Sequence, residues 1–304
     1  MLRKYPFTPI LGWSVSRYEK FDRCKRWYYY DYYARKHDKD VSPQDLAFLR
    51  SLTSASLEIG NAVHDTIATL LRRLKRKTSP IDTEKVLNYS SSQVDRAIEG
   101  KNFLEVYYGQ RETIDAADLK DRVGSCLKNF FGSRWYEWLT GEAIPGRSSW
   151  IIEPGDYGEL RINGLKAYCK ADFLFPITEG NLCILDWKTG KADRERHRRQ
   201  MMGYVLYARD IFKVAADEVK AVIVYLDEPN EELESSFSGS ELDEFAGQIA
   251  KETEEMYRYC ENIEENIPRP KSFFPKQAGR LCAYCNYREL CESEPEAKRA
   301  VTCP

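Results

Sequence analysis

Asp172 in the segment KADFLF, and Asp186 with Lys188 in LCILDWKTG, are residue types that could together hydrolyse a phosphodiester. On a strand alternate side chains point the same way, so Asp186 and Lys188 share a face while Trp187 points to the other. A hairpin between residues 174 and 184 would bring Asp172 beside them. Two carboxylates converging at a strand end make an oxygen-rich site suited to Mg2+ or Mn2+. A neighbouring ammonium can orient an attacking water or offset the charge that develops on a phosphate. An Asp-x-Lys on a strand also fits an ordinary surface ion pair, so the weight falls on its surroundings.

His64 stands four residues after Gly60 in a segment of helical periodicity. Glycine there allows another backbone to approach, and the imidazole one turn on faces the same side. An imidazole added to carboxylates favours a transition metal such as Mn2+ over a pure magnesium site. Gln200 and Tyr204, again i and i+4, lie on the helix that follows the Asp186 strand, where a shared face could touch nucleic acid or the active-site groups. Arg194, Arg196, Arg198 and Arg199 crowd the first turns of that helix. Cations there oppose the helix dipole by a few tenths to about 1 kcal/mol each. Phosphates of a bound strand would offset this, as would Asp193 and Glu195 on a solvated face.

Cys282, Cys285 and Cys291 form a CxxC followed by a third cysteine, close enough in sequence to hold one metal centre. A fourth ligand is needed, with Cys24, Cys260 and Cys303 as candidates. Zinc and a 4Fe-4S cluster both fit four thiolates.

These residues need elements to position them. Residues 14–36 read as a helix with Ser16 as N-cap and Glu19 at capping-box spacing. The polar HDKDVSPQD reads as a loop, and SLEIGNAVHDTIATLLRRLKRK as a helix ending in a basic run. From 81 to 147 the pattern is helical but polar, a helical insertion. After 149, β-branched and aromatic runs broken by PGDYG and TEGN predict three successive strands. ADRERHRRQMMGYVLYARDIF is a helix and EVKAVIVYLDEP a short buried strand. An acidic helical stretch, a Pro-rich connector and the cysteine-dense tail complete the chain. This gives an N-terminal helical part (1–80), the insertion (81–147), a core (148–230) and a C-terminal helix with the cysteine segment (231–304).

Composition narrows the function further. The 304 residues carry 46 basic and 48 acidic side chains, a net charge of −2, and 42% hydrophobic residues, ample for a core. No apolar run reaches the roughly 18 to 20 residues of a membrane span, and the first residues have no h-region, so neither membrane insertion nor secretion is expected and a cytoplasmic site is. Nine cysteines without an export signal point to metal, redox or core use. With three histidines and no HExxH, imidazole-rich sites are excluded, and the missing GxxxxGK[ST] excludes phosphate-loop nucleotide hydrolysis.

Taken in order, FDRCKRWYYYDY, GNAVH, KADFLF, LDWKTGK, QMMGY and CAYCNYRELC resemble the RecB-like branch of the PD-(D/E)XK nucleases. More narrowly, they are similar to its members with an iron-sulfur staple, the AddB-type nuclease domains and CRISPR-associated exonucleases. The resemblance implies an α/β, restriction-endonuclease-like fold with a central mixed sheet flanked by helices. It implies that Asp172, Asp186 and His64 ligate Mg2+ or Mn2+, with the Trp187 carbonyl as a further ligand, and that Lys188 is the catalytic lysine. Gln200 and Tyr204 become the QxxxY motif, associated with DNA binding and active-site organisation, and Cys24 joins Cys282, Cys285 and Cys291 around a 4Fe-4S cluster, zinc being the lesser alternative. Ala171 departs from the family's proline before the first aspartate, which costs specificity in the match. The expected activity is a deoxyribonuclease acting at or near the ends of single-stranded DNA, with some internal cutting allowed. Arg194, Arg198 and Arg199 would contact the DNA, and the cluster would shape a channel in which bases stack on the aromatics of the Tyr-rich first helix. Any helicase would be another chain, in a repair, CRISPR adaptation or phage defence setting. The alternative is an inactive DNA-binding scaffold of the same fold.

Overall fold

The computed structural model describes residues 5–153, 158–178 and 181–293. Its strands are β1 (Ile151–Ile152), β2 (Glu159–Ile162), β3 (Leu165–Tyr168), β4 (Phe173–Thr178), β5 (Asn181–Lys188), β6 (Val219–Tyr225), β7 (Glu231–Ser235), β8 (Cys260–Asn262) and β9 (Ile267–Pro268). Five of them form a mixed sheet in the order β1-β4-β5-β6-β7, in which β5 and β6 run parallel and the other pairs antiparallel. β2 and β3 form a separate hairpin that turns at Asn163–Gly164, both with positive φ, as a two-residue hairpin turn requires.

The helices are α1 (Val15–Arg23), α2 (Lys25–Tyr29), α3 (Arg35–His37), α4 (Pro43–Ser51), α5 (Ala55–Arg76), α6 (Thr83–Gly100), α7 (Leu104–Tyr107), α8 (Ala116–Phe131), α9 (Arg134–Thr140), α10 (Arg194–Phe212), α11 (Gly239–Tyr257) and α12 (Arg288–Ser293). Their placement follows the alternation of the central strands. Leu182 and Ile184 of β5 and Ala221, Ile223 and Tyr225 of β6 face a core shared with α10, α11 and the N-terminal helices. Cys183, Leu185 and Trp187, with Val222 and Val224, face a second core shared with α5, α8 and α9. Because both faces are covered, the central strands read as almost continuous apolar runs. The edge strand β7, EELES, can afford its charges.

Several local expectations are corrected. Helix α1 is capped by Ser14, whose hydroxyl accepts the Arg17 amide at 3.1 Å, and not by Ser16; no capping box with Glu19 forms. The helix expected to run through 36 breaks at Cys24, whose backbone is extended and whose Sγ accepts the Trp27 amide at 3.4 Å to start α2. A π-helical turn, Tyr30–Ala34, follows before α3. Helix α4, capped by Ser42 with Pro43 at its first position, begins inside the stretch expected to be a loop. Instead of three strands after 149 there are five in two sheets, and β7, β8 and β9 were not anticipated. The expected turn residues 154–157 and 179–180, and the candidate ligand Cys303, lie outside the described residues. Among the described residues no helix is long and apolar enough to cross a membrane.

Candidate active site

The site forms where β5 outruns its antiparallel neighbour. The β4–β5 ladder ends at Phe173–Leu185, so the Trp187 amide has no strand to bond and donates instead to Asp172 Oδ2 at 2.9 Å. In a strand the amide and carbonyl of one residue point to the same side, so the Trp187 carbonyl is also directed to the Asp172 side. On the opposite edge β6 continues the ladder, the Leu226 amide donating to the Lys188 carbonyl at 2.7 Å. The Trp187 ring meets Phe130 edge-on at 5.3 Å in the second core, leaving the first face to Asp186 and Lys188.

Asp186 is 2% exposed. Its Oδ2 accepts from the Tyr204 hydroxyl at 2.6 Å. The other oxygen, Oδ1, touches the Lys188 ammonium but receives no well-aimed hydrogen bond. Gln200, one turn before Tyr204 on α10, donates to the Tyr204 hydroxyl, so the two residues expected to share a face act as a chain ending on Asp186. From the other layer α5 delivers His64, whose Nδ1 lies 3.2 Å from Asp172 Oδ2. Gly60 meets the Thr189 hydroxyl, 3.4 Å from where a Cβ would stand, and so packs against a side chain and not the expected backbone.

The two carboxylates are electrostatically unequal. Burial works against charge on Asp172, but His64, Lys188 and the Trp187 amide outweigh it and hold its pKa below the ordinary value. Burial and the neighbouring Asp172 charge push Asp186 up, against the pull of Lys188 and Tyr204. Burial disfavours charge on His64 as well, but Asp172 and then Asp186 raise its pKa above the ordinary histidine value. A bound cation would favour both ionised carboxylates and the neutral imidazole. Among the described residues no three His, Cys, Asp or Glu side chains close around a single point; the groups stand as His64–Asp172 and Lys188–Asp186 pairs.

The arginines of α10 pair with glutamates that are distant in sequence. Arg194 pairs with Glu231 at 3.0 Å, Arg196 with Glu19 at 2.9 Å, Arg198 with Glu241 at 2.8 Å, and Arg199 with the buried Glu252. Glutamates from α1 (Glu19), β7 (Glu231) and α11 (Glu241 and Glu252) offset the unfavourable helix terminus, rather than Asp193 and Glu195. Asp193 instead caps α10 through the Arg196 amide. The Tyr-rich helix is likewise core: Tyr28, Tyr29, Tyr30 and Tyr33 are buried, and Tyr30 stacks on Tyr287 of the tail at 5.4 Å. These four join chain segments, whereas Tyr32 of the same stretch is 37% exposed, with the Arg17 guanidinium 4.3 Å from its ring centre.

Cys24, Cys282, Cys285 and Cys291 all line one cavity of about 330 Å³, together with Lys276 and Arg288. Cys260 does not line it and sits beside the Tyr33 hydroxyl. Burial, and then the other three thiols, push the Cys285 thiol up to about 12.

Sequence reasoning passed over His197 and Tyr225. His197 Nδ1 and the Tyr225 hydroxyl are 2.8 Å apart, both residues buried, and Tyr225 is the cross-strand partner of Lys188. The signal was present in the spacing 197, 200, 204, a single helical stripe.

Among proteins of curated function none matches this chain. A solved structure described as "Crystal structure of SSO0001" is similar over 77% of this chain and 94% of that one, at 13% identity and a TM-score of 0.31, too low to bear on the argument. The family model of the PD-(D/E)XK nuclease superfamily matches residues 12–292, which takes in Asp172, Asp186, Lys188, His64 and all four cavity cysteines. The chain belongs to the PD-(D/E)XK nuclease superfamily.

Proposed function

We propose that this chain is a metal-dependent deoxyribonuclease that hydrolyses phosphodiesters at or near the ends of single-stranded DNA. The observation that carries the reading is the meeting of Asp172, Asp186, Lys188 and His64 at the end of β5 in a chain of this superfamily. The donor set suits Mg2+ or Mn2+. Asp172, the unsatisfied Asp186 Oδ1 and the Trp187 carbonyl are oxygen donors, and His64 adds the nitrogen that favours manganese. A bound divalent ion would polarise the phosphate and acidify water. Asp186 is kept in place by Tyr204 and Gln200, while Lys188 bears a fixed positive charge beside it for the charge that develops on the phosphate. Arg194, with its side chain 56% exposed, is the most open of these arginines, and Arg198 at 43% is also placed to exchange its glutamate for a DNA phosphate.

The same reading places a 4Fe-4S cluster on Cys24, Cys282, Cys285 and Cys291. Its support is the cavity those four side chains line, of which Cys260 is not a part. A chelated cluster would supply the deprotonation that burial denies to Cys285.

The test is cleavage of end-labelled and circular single strands and of duplex DNA with Mn2+ or Mg2+, alongside Lys188→Ala. Linear strands should be shortened from their ends, and the variant should lose about 10²- to 10³-fold or more, as for removal of a transition-state charge donor. Wild-type protein that binds DNA but never cuts it would make the chain a scaffold. Visible absorption that bleaches on reduction, with stoichiometric iron and sulfide, checks the cluster; zinc in its place overturns that assignment.

A further inference from the structure

The QxxxY stripe of α10 continues one turn toward the start of the helix, to His197, and there it grips the neighbouring strand. Tyr204 bonds Asp186 on β5, while His197 bonds Tyr225 on β6 at 2.8 Å. Lys188 lies between these two anchors. Its ammonium touches Asp186, and its Cα pairs with Tyr225 in the parallel ladder. Paired residues of adjacent strands present their side chains on the same face about 4.8 Å apart. Tyr225 is 1% exposed and belongs to the α10-side core, so its ring forms a fixed wall beside the lysine stem. Tyr225 is the last residue of β6, paired with Lys188 on one side and Glu231 on the other, and the hydrogen bond to His197 ties the hydroxyl end of its ring to α10.

We propose that His197 and Tyr225 are positioning residues for Lys188: hydrogen-bonded to each other across α10 and β6, they hold the lysine stem from one side while Asp186 holds its ammonium from the other. The inference rests on the nuclease reading, because it assigns the pair to the step Lys188 assists. The imidazole is suited to this place because it stays neutral. Burial, and then the Lys188 and Arg196 charges, lower its pKa to about 4, so it supplies a hydrogen bond without a second positive charge to compete for Asp186.

The experiment measures kcat and KM on one single-stranded substrate for wild type, Lys188→Ala, Tyr225→Phe, His197→Phe and His197→Asn, with the thermal midpoint of each. Tyr225→Phe removes a single oxygen and should lower kcat about 10- to 100-fold, the scale of a misplacement of about 1 Å, with KM unchanged. His197→Phe should do the same, and His197→Asn, whose amide stands near the position of Nδ1, should restore most of the loss. A merely structural pair would move the thermal midpoint in all variants without this split or this rescue. Wild-type kcat in Tyr225→Phe while Lys188→Ala is inactive overturns the inference and leaves the nuclease reading intact. Undiminished activity in Lys188→Ala overturns the reading beneath it. If His197→Phe fails to fold, Tyr225→Phe decides alone.

Discussion

At the residue scale the site is a set of buried and half-buried groups whose charge states depend on one another, and His197 gives the clearest handle on them. Its pKa is depressed to about 4 by burial and then by Lys188 and Arg196. An unfolded chain returns it to about 6.5. Between these values the unfolded state binds a proton that the folded state refuses, so stability falls as the pH drops through that window. The contribution is fully present above about pH 6.5 and is lost progressively toward pH 4. One proton sets a ceiling of about 1.4 kcal/mol per pH unit on the slope. Denaturant midpoints between pH 4 and 7 should fall more steeply for wild type than for His197→Asn, and equal slopes would show that the buried imidazole is not the group resisting protonation. The arginines of α10 carry the opposite lesson about single residues. Their spacing suggests a phosphate footprint, and folding also brings Glu19, Glu231, Glu241 and Glu252 to them, over separations no local pattern reveals.

At the scale of elements, two glycines with opposite demands show what positions the carboxylates. Gly158 has φ +61°, and a Cβ there would stand 1.9 Å from the Cys169 carbonyl oxygen, whose residue bonds back to Gly158 through its amide at 2.9 Å. That contact fixes the segment leading into Asp172, whose own carbonyl accepts the Glu153 amide at 2.9 Å. Gly158→Ala should therefore cost about 2 kcal/mol or more and reduce cleavage with it. Gly60→Ala meets only ordinary contact with Thr189 and should be neutral or gain up to about 1 kcal/mol from helix propensity. Paired melting curves check both, and a severe loss in Gly60→Ala would mean that α5 must approach β5 more closely than it does here. Much of this scale was legible in advance. The period-2 run of β5 placed Asp186 and Lys188 opposite Trp187, and helical spacing put Gln200 with Tyr204 and Gly60 with His64. The first N-cap was misread because Glu19 sits at capping-box distance from Ser16, although its partner is Arg196, 177 residues away. The strand β7 was invisible because its charged sequence answers to an edge position that only the assembled sheet defines.

At the scale of the whole molecule, the cysteine tail is tied to the helix that carries His64. The Asn286 side chain donates to the Leu49 and Leu52 carbonyls at 2.9 Å, Tyr108 donates to the Asn286 carbonyl at 2.8 Å, and Gln110 to the Ala283 carbonyl at 2.8 Å. The same segment reaches the start of α5: the Leu104 amide bonds the Thr53 carbonyl at 2.7 Å, and Glu105 accepts the Ala55 amide at 2.9 Å. The proposed cross-link between Cys24 and the cysteine segment would tie the N-terminal helices to that segment around the base of α5. It would remove unfolded-state entropy worth roughly 4 to 5 kcal/mol if a disulfide over a long loop is a fair analogue. Cys282→Ala should then lower the thermal midpoint and raise amide exchange in α1, α2, residues 102–110 and the first turns of α5, while the sheet keeps its protection. Because His64 stands on that helix, Mn2+ affinity should weaken in the same variant, although no ligand of the proposed ion has been touched. Exchange that rises only in the tail, with Mn2+ binding unchanged, would mean that the cysteine centre stabilises its own segment and does not reach the active site.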